Sequence, residues 1–326
     1  MDLRTEYLGL SLDTPFIVGA SPLTDDAELA RRLQDAGAGA VVMRSFFEEQ
    51  LDPPPRAPVA ANTADFDTAE SFPDHADYQF SPEGYVRHVA RLKRELSIPV
   101  IASLNGYQLT SWADMARRLE RAGADAIELN FYQVVADPTT AADRVETEIL
   151  RTTGLVAANV NIPIAVKLSP FHSSTAQLAV ALELAGAAGV VVFNRFYQPD
   201  IDIEELTVRP TLHLSDPSEL LLRLRWLGIL APLLRGSLAA TGGIHRASDA
   251  IKAILAGAHA VQLVSALLRL GPGVLTSLAQ GLTAWMEAHG FSSLTDFRGR
   301  LDLRSCADAS AFERANYLRT LQSWRG

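Results

Sequence analysis

Eight short apolar runs rich in valine and isoleucine, each followed by a longer helical pattern, predict an α/β chain folded as a TIM (β/α)8 barrel. A helix-to-strand phrase of small residues recurs four times, as AGAGAV at 36–41, AGADAI at 122–127, AGAAGV at 185–190 and AGAHAV at 256–261. The irregular spacing of these phrases marks repeated βα units rather than a solenoid. The length of 326 residues holds one barrel of about 250 residues plus extensions. A doubly wound open sheet is the competing fold, but no G-x-G-x-x-G follows the first run.

Taken in order, the predicted strands are FIVGAS (16–21), AVVMRS (40–45), PVIASL (99–104), AIELNF (126–131), PIAVKLS (163–169), VVVFNR (190–195), SLAATGG (237–243) and AVQLVS (260–265). Their near-continuous apolarity suits strands covered on both faces. Between them, DDAELARRLQDAG, SWADMARRLERAG and RASDAIKAILAG carry apolar residues at helical spacing, with a glycine after the last turn as a C-cap requires. Two connections exceed a plain βα link. Residues 46–81, Pro-rich, acidic and aromatic, are expected to form a long lid or binding loop after strand two. Residues 196–216 alternate in a way that predicts a small hairpin over the mouth after strand six. Residues 291–326 are expected to form a helical cap on a barrel core of about 14–290, within one domain spanning 1–326.

Composition narrows the function. The 29 basic and 38 acidic residues give a net charge of −9, against a general nucleic-acid binder. The single cysteine, Cys306, excludes an intramolecular disulfide, a four-cysteine zinc site and an iron–sulfur cluster within the chain. The charged start MDLRTEYLGLSLDTPF lacks an apolar signal-peptide region and leads almost directly into the first strand. The most apolar stretches are broken by Glu183, Arg223 and Arg225, short of the roughly 20 apolar residues that span a bilayer. A cytoplasmic protein with no membrane partner is expected. The acidic pairs Glu48–Glu49 and Glu204–Glu205 are read as solvated loop charges, because no histidine or third carboxylate accompanies them to hold a metal.

Barrel active sites lie at the C-terminal ends of the strands. Those ends read Ala20–Ser21, Arg44–Ser45, Ser103–Asn105, Asn130, Lys167, Asn194, Gly242–Gly243 and Ser265, a ring suited to a polar ligand. The loops after strands seven and eight commonly bind phosphate, so Gly242, Gly243 and Ser265 are candidate phosphate ligands. Lys167, inside the otherwise apolar PIAVKLS, must either face an anionic or electron-rich ligand in the mouth or pair with Glu128 on the neighbouring strand.

The runs from YLGLSLDTPFIVGAS through AVVMRS, ADAIELN, IPIAVKLSP and VVFNR to TGGIHRASDAIKAILAGAHAVQLVSAL together resemble the dihydroorotate dehydrogenase family of FMN-containing barrels. The resemblance implies FMN across the mouth, with its phosphate on Gly242, Gly243 and Ser265. It places Ala20, Ser21, Ser45, Ser103 and Asn130 around the ribityl chain and ring, with Arg44, Asn105 and Asn194 as further candidate cofactor contacts. Lys167 then stands near the pyrimidine edge, where a cation stabilises anionic reduced flavin. Arg44 replaces the family's lysine at the end of strand two.

The departures fall on the substrate side. After strand four the family continues E-L-N-x-S-C-P-N or its serine variant. Here the chain reads Glu128-Leu129-Asn130-Phe131-Tyr132-Gln133-Val134-Val135, so Gln133 stands at the base position. The family's Asn-x-x-Gly-Leu/Phe-x-Asn motif after strand two is missing, and Arg195 follows Asn194 where a small hydroxyl residue is usual. The flavin half is therefore expected to be retained and the orotate half rebuilt. Such a protein is an FMN oxidoreductase acting on a CH–CH or conjugated C=C bond, related to the dehydrogenase of pyrimidine biosynthesis.

Tyr132 is the first candidate for the missing proton donor and His172 the second. Arg44, Asn130, Asn194 and Arg195 are candidate substrate contacts, although the arginines could instead pair with Glu48 or Asp200. His245 is expected to open the next helix. The competing functions are an FMN-binding paralogue without dehydrogenase activity, serving as a partner or regulatory subunit, and a non-redox barrel for a phosphorylated metabolite. A homo-oligomer or a redox partner protein is compatible with the first two.

Overall fold

In the computed structural model, residues 1–50, 79–106 and 109–323 are described. A hairpin of β1 (Thr5–Tyr7) and β2 (Leu10–Leu12) precedes the barrel, so the chain does not run straight into the first barrel strand. The barrel strands are β3 (Phe16–Val18), β4 (Ala40–Val42), β6 (Val100–Asn105), β7 (Ala126–Asn130), β8 (Ile164–Leu168), β9 (Gly189–Val192), β12 (Ser237–Thr241) and β13 (Ala260–Leu263). All pair in parallel in chain order, and β3 joins β13 to close the ring. Each predicted run supplies one of them. A two-residue strand, β5 (Phe46–Phe47), extends the mouth beside β6.

The helices form the outer ring: α1 (Ala27–Asp35), α2 (Pro82–Glu95), α3 (Leu109–Arg121), α4 (Ala142–Ala157), α5 (Thr175–Leu184), α6 (Leu220–Leu230), α7 (Ala247–Leu255), the short α8 (Ser265–Leu270) and α9 (Gly273–His289). Leucine, isoleucine and valine on their inner faces fill the layer between ring and strands. Of the strand residues facing inward at the lower end, five are alanines, Ala40, Ala126, Ala165, Ala239 and Ala260, beside Ile17, Ile101 and Val191. The alanines leave room for Tyr7, Leu8 and Leu12 of the hairpin, which plug the barrel from below. Leu8 N–H donates to Ser237 Oγ at 2.8 Å and Thr5 Oγ1 to the His259 carbonyl at 3.0 Å, pinning the plug.

The predicted hairpin after strand six is β10 (Pro199–Asp202) paired with β11 (Thr207–Pro210). The C-terminal segment does not reach the mouth. Its backbone bonds Ile254, Leu255 and Gly228 at the lower ends of α7 and α6, and Phe312 packs on Gly228 before α10 (Arg314–Ser323). Most of the expected lid after strand two, residues 51–78, lies outside the described residues. Among the described residues no helix is long and apolar enough to cross a membrane.

Candidate active site

Strand periodicity builds the floor of the site. Two residues above the alanine layer, the same inward face carries Ser103, Glu128, Lys167 and Gln262. Lys167 Nζ lies 2.6 Å from Glu128 Oε1, and Gln262 Nε2 donates to the other carboxylate oxygen at 2.5 Å. Glu128 is 1% exposed and Lys167 5%, so the pair is compensated internally while the lysine still borders the cavity. The pairing with Glu128 expected as one alternative is present, and the lysine also lines the cavity. Below them, burial and then the Glu128 charge hold the Tyr7 phenol well above its usual pKa.

Above this floor a cavity of about 530 Å³ opens at the C-terminal strand ends, a size that encloses small-molecule ligands. Ala20, Ser21, Arg44, Ser45, Asn105 and Asn130 line one arc, and Tyr132, Lys167, Asn194, Arg195, Gly242, Gly243 and Ser265 complete it. Ser103 is the exception among the predicted contacts. It is fully buried, sharing a 2.7 Å hydrogen bond with Ser45 Oγ, so it braces the lining from behind. The backbone around it is held by the Tyr85 hydroxyl, which donates to the Arg44 carbonyl at 2.8 Å and accepts from Ser103 N–H at 3.1 Å.

At one end stands the turn after β12. Gly242 and Gly243 have φ of +90° and +81°, and a Cβ on Gly243 would sit 2.5 Å from Leu220 N. Only glycine fits there without strain. Gly243 N–H points at Ser215 Oγ (3.4 Å), and Ser215 N–H donates to Ser265 Oγ at 2.9 Å. Buried Arg223 lies beneath, donating Nε to the Thr241 carbonyl at 3.0 Å. Arg269 donates to the carbonyls of Ser215 and Leu214 at 3.2 Å. Ser215 was not singled out from the sequence. It is a loop residue 22 positions before β12, and only the return path of the chain brings it between Gly243 and Ser265.

Opposite the turn, Asn194 donates its side-chain amide to Asn130 Oδ1, and Asn130 Nδ2 reaches Ser45 Oγ at 3.3 Å. The Tyr132 ring stacks on Phe196 with centroids 4.3 Å apart at 11°, and its hydroxyl accepts from Tyr197 N–H at 3.0 Å. Partial burial raises the Tyr132 pKa. Arg44 pairs with Asp25 and Arg195 with Glu219, neither with the Glu48 or Asp200 anticipated.

Several other sequence expectations settle elsewhere. His172 does not line the cavity; its Nε2 is buried, and burial lowers its pKa. Gln133 is exposed on the loop after β7 and is not in the lining. Glu48 and Glu49 are buried rather than solvated, and Glu48 packs against Gly106, where a side chain would displace it. Glu204 and Glu205 are solvated as expected. His245 opens α7, its N–H donating to Asp249 Oδ2 at 3.0 Å. Cys306 lies in the C-terminal segment, away from the cavity. Among the described residues no cluster of three histidine, cysteine or acidic side chains could hold a metal.

A family model described as dihydroorotate dehydrogenase matches residues 2–286. The chain belongs to the dihydroorotate dehydrogenase family. It is similar to the catalytic subunit of dihydroorotate dehydrogenase B (NAD(+)) from Pyrococcus furiosus, 29% identical over 313 residues, 92% of this chain and 98% of that protein. The corresponding catalytic subunit from Methanosarcina mazei is 30% identical over 298 residues, 89% and 92% of the two chains. The NAD-dependent dihydropyrimidine dehydrogenase subunit PreA of Escherichia coli (strain K12) is 24% identical over 322 residues, 91% and 76% of the two. Membership in the dihydroorotate dehydrogenase family makes the chain an oxidoreductase of that type.

Proposed function

We propose that this chain is a single FMN-binding domain that catalyses oxidoreduction of a CH–CH or conjugated C=C bond, with a substrate half-site unlike that for dihydroorotate. The observation that carries it is one cavity with two unlike ends, the Gly242–Gly243 turn over Arg223 and the amide and aromatic arc around Asn130 and Tyr132. The turn suits a phosphate: Gly242 and Gly243 line the cavity with positive-φ backbone packed close on Leu220 and Arg223, and Ser215, Ser265 and Arg269 meet in the same loop. Bound there, FMN supplies the hydride chemistry at its ring.

The protein's own residues do the rest. Ala20, Ser21, Ser45, Asn105 and Asn130 line the flank that would hold the ring and ribityl chain. Lys167, fixed by Glu128, presents a cation from the floor, which favours an electron-rich ligand edge. Tyr132 holds the proton for transfer at its phenolic oxygen. A phenol, with an ordinary pKa of about 10, is protonated at neutral pH, which suits a donor in a reduction better than a base in an oxidation. Lys167 and Tyr132 are thus the catalytic candidates, and Asn130 and Asn194 the substrate-side amides. A partner subunit fits this assignment, since two relatives are named catalytic subunits and a third a subunit. The working place is taken to be the cytoplasm.

The visible spectrum tests the cofactor. Purified protein, or protein titrated with FMN, is expected to show flavin bands near about 370 and 450 nm. Colourless protein that takes up no FMN overturns the assignment. Exposed Gln133 at the base position favours one alternative, an FMN-binding paralogue without dehydrogenase activity. Photoreduced protein that is reoxidised by an enone, quinone, fumarate or orotate supports the enzyme. Failure with all of them supports the paralogue.

A further inference from the structure

Strand order puts the two ends of the cavity on opposite sides of the mouth. The glycine turn follows β12 and borders β13, the seventh and eighth barrel strands. Asn105, Asn130 and Tyr132 stand at the ends of β6 and β7, the third and fourth. In a closed eight-stranded ring these positions face each other.

Among the described residues three cations line the cavity, and each has a carboxylate behind it. Arg44 Nη2 lies 2.5 Å from Asp25 Oδ2, with Nε donating to the same oxygen at 2.9 Å. Arg195 Nε meets Glu219 Oε1 at 3.2 Å, and Lys167 Nζ meets Glu128 Oε1 at 2.6 Å. The positive surplus sits on the turn side. There Glu219 is shared with buried Arg223 at 3.5 Å, and Arg269 joins the same loop. A phosphate at the turn takes up that surplus. A carboxylate entering at the far arc would shed its hydration only to meet cations that are already paired.

The far arc offers flat surface and neutral polarity instead. Tyr132 is held rigid by its stack on Phe196, and Phe171 meets Phe196 edge-on at 5.3 Å. Phe47 and Tyr197 extend the aromatic lining, and Asn105, Asn130 and Asn194 bring amide donors and acceptors. Aromatic walls reward planar ligands, and amides match carbonyl or amide edges without needing charge.

We propose that the substrate half of this cavity takes a neutral, flat, unsaturated ligand carrying carbonyl or amide groups, and that the Asp25–Arg44 pair discriminates against carboxylates. The proposal rests on the FMN assignment in giving the cationic end of the cavity to the cofactor's phosphate. It assigns Asp25, which lies behind the lining, a specificity role that no motif marks.

The test is calorimetric titration of the FMN-loaded full chain, read alongside perturbation of the flavin spectrum. The neutral probes are uracil, 2-cyclohexenone and menadione, and the anionic ones are orotate and fumarate. Uracil and orotate share a ring and differ in the carboxylate. At least one neutral probe is expected to bind ten times or more tighter than either anion. Tyr132→Ala is expected to weaken that probe about fivefold, the scale of one aromatic contact. Asp25→Asn, which releases Arg44, is expected to tighten orotate about tenfold.

Orotate or fumarate binding as tightly as the best neutral probe overturns the proposal, as does the absence of binding by every neutral probe. Unchanged orotate affinity in a folded Asp25→Asn protein removes the role of the pair. The wild-type panel decides the ligand class even where a variant fails to fold. Failure to take up FMN instead overturns the functional assignment, and a loaded protein that prefers carboxylates overturns only this inference.

Discussion

Lys167 and Glu128 are a buried pair whose value is mutual. Gln262 satisfies the second carboxylate oxygen, so the charges are compensated at the buried floor of the cavity. Removing one partner strands the other. Glu128→Gln or Lys167→Met is expected to cost about 3–5 kcal/mol, and the double variant much less than the sum. Urea unfolding of the four proteins measures this, and additive losses would contradict the coupling. This pairing was legible in the sequence because a strand's period of two puts Lys167 and Glu128 on one face of adjacent strands. The carboxylates holding Arg44 and Arg195 were not. Asp25 and Glu219 sit in connections whose spatial return no periodicity records.

At the scale of elements, the phrase repeated four times is one joint built four times. Gly37, Gly123, Gly186 and Gly257 all have φ between +96° and +115°. The amide after each reaches back five residues, as Ala38 does to Leu33 and Ala258 to Ala253. This is the helix ending in which a left-handed residue lets the chain satisfy its last carbonyls. The next residue then donates to the lower end of the preceding strand: Gly39 to Phe16, Asp125 to Val100, Ala188 to Ile164 and His259 to Leu238. A Cβ at Gly37 meets nothing within 4 Å, whereas at Gly257 it would overlap the Ala231 methyl. Gly37→Ala is therefore expected to cost about 1–2 kcal/mol from backbone strain alone. Gly257→Ala should cost about 1–3 kcal/mol more. Thermal melts of the two variants give the comparison, and equal losses would deny the packing role of Gly257.

Across the whole molecule, the two ends of the barrel divide the work, with ligand chemistry at the mouth and stability below. His259 belongs to the lower end, where its Nδ1 accepts Leu238 N–H at 3.1 Å. Burial, reinforced by the Arg298 charge, lowers its pKa to about 4. The unfolded chain binds that proton near pH 6.5, so the stabilisation is complete above that pH and is lost as pH falls towards 4. The loss amounts to about 3 kcal/mol at most. His259→Asn, which retains an acceptor without titrating, is expected to show a flatter decline of urea midpoint between pH 6.5 and 4. Parallel curves for both proteins would assign the acid sensitivity to other groups.

Periodicity, the repeated joint and the glycine pair by themselves determined the barrel, its strand order and the ring of residues at the mouth, because these depend on local spacing and on a rule common to all such barrels. The N-terminal plug was missed because its Tyr7 and leucines are explained only by the small alanines they meet across the barrel. Tertiary structure alone decided that Ser103 lies behind the lining, that Ser215 joins the glycine turn, and that Arg44 and Arg195 are paired with Asp25 and Glu219. Each of these is a contact between residues distant in the chain. Charge compensation in a cavity depends on such contacts, which side-chain types in sequence do not encode.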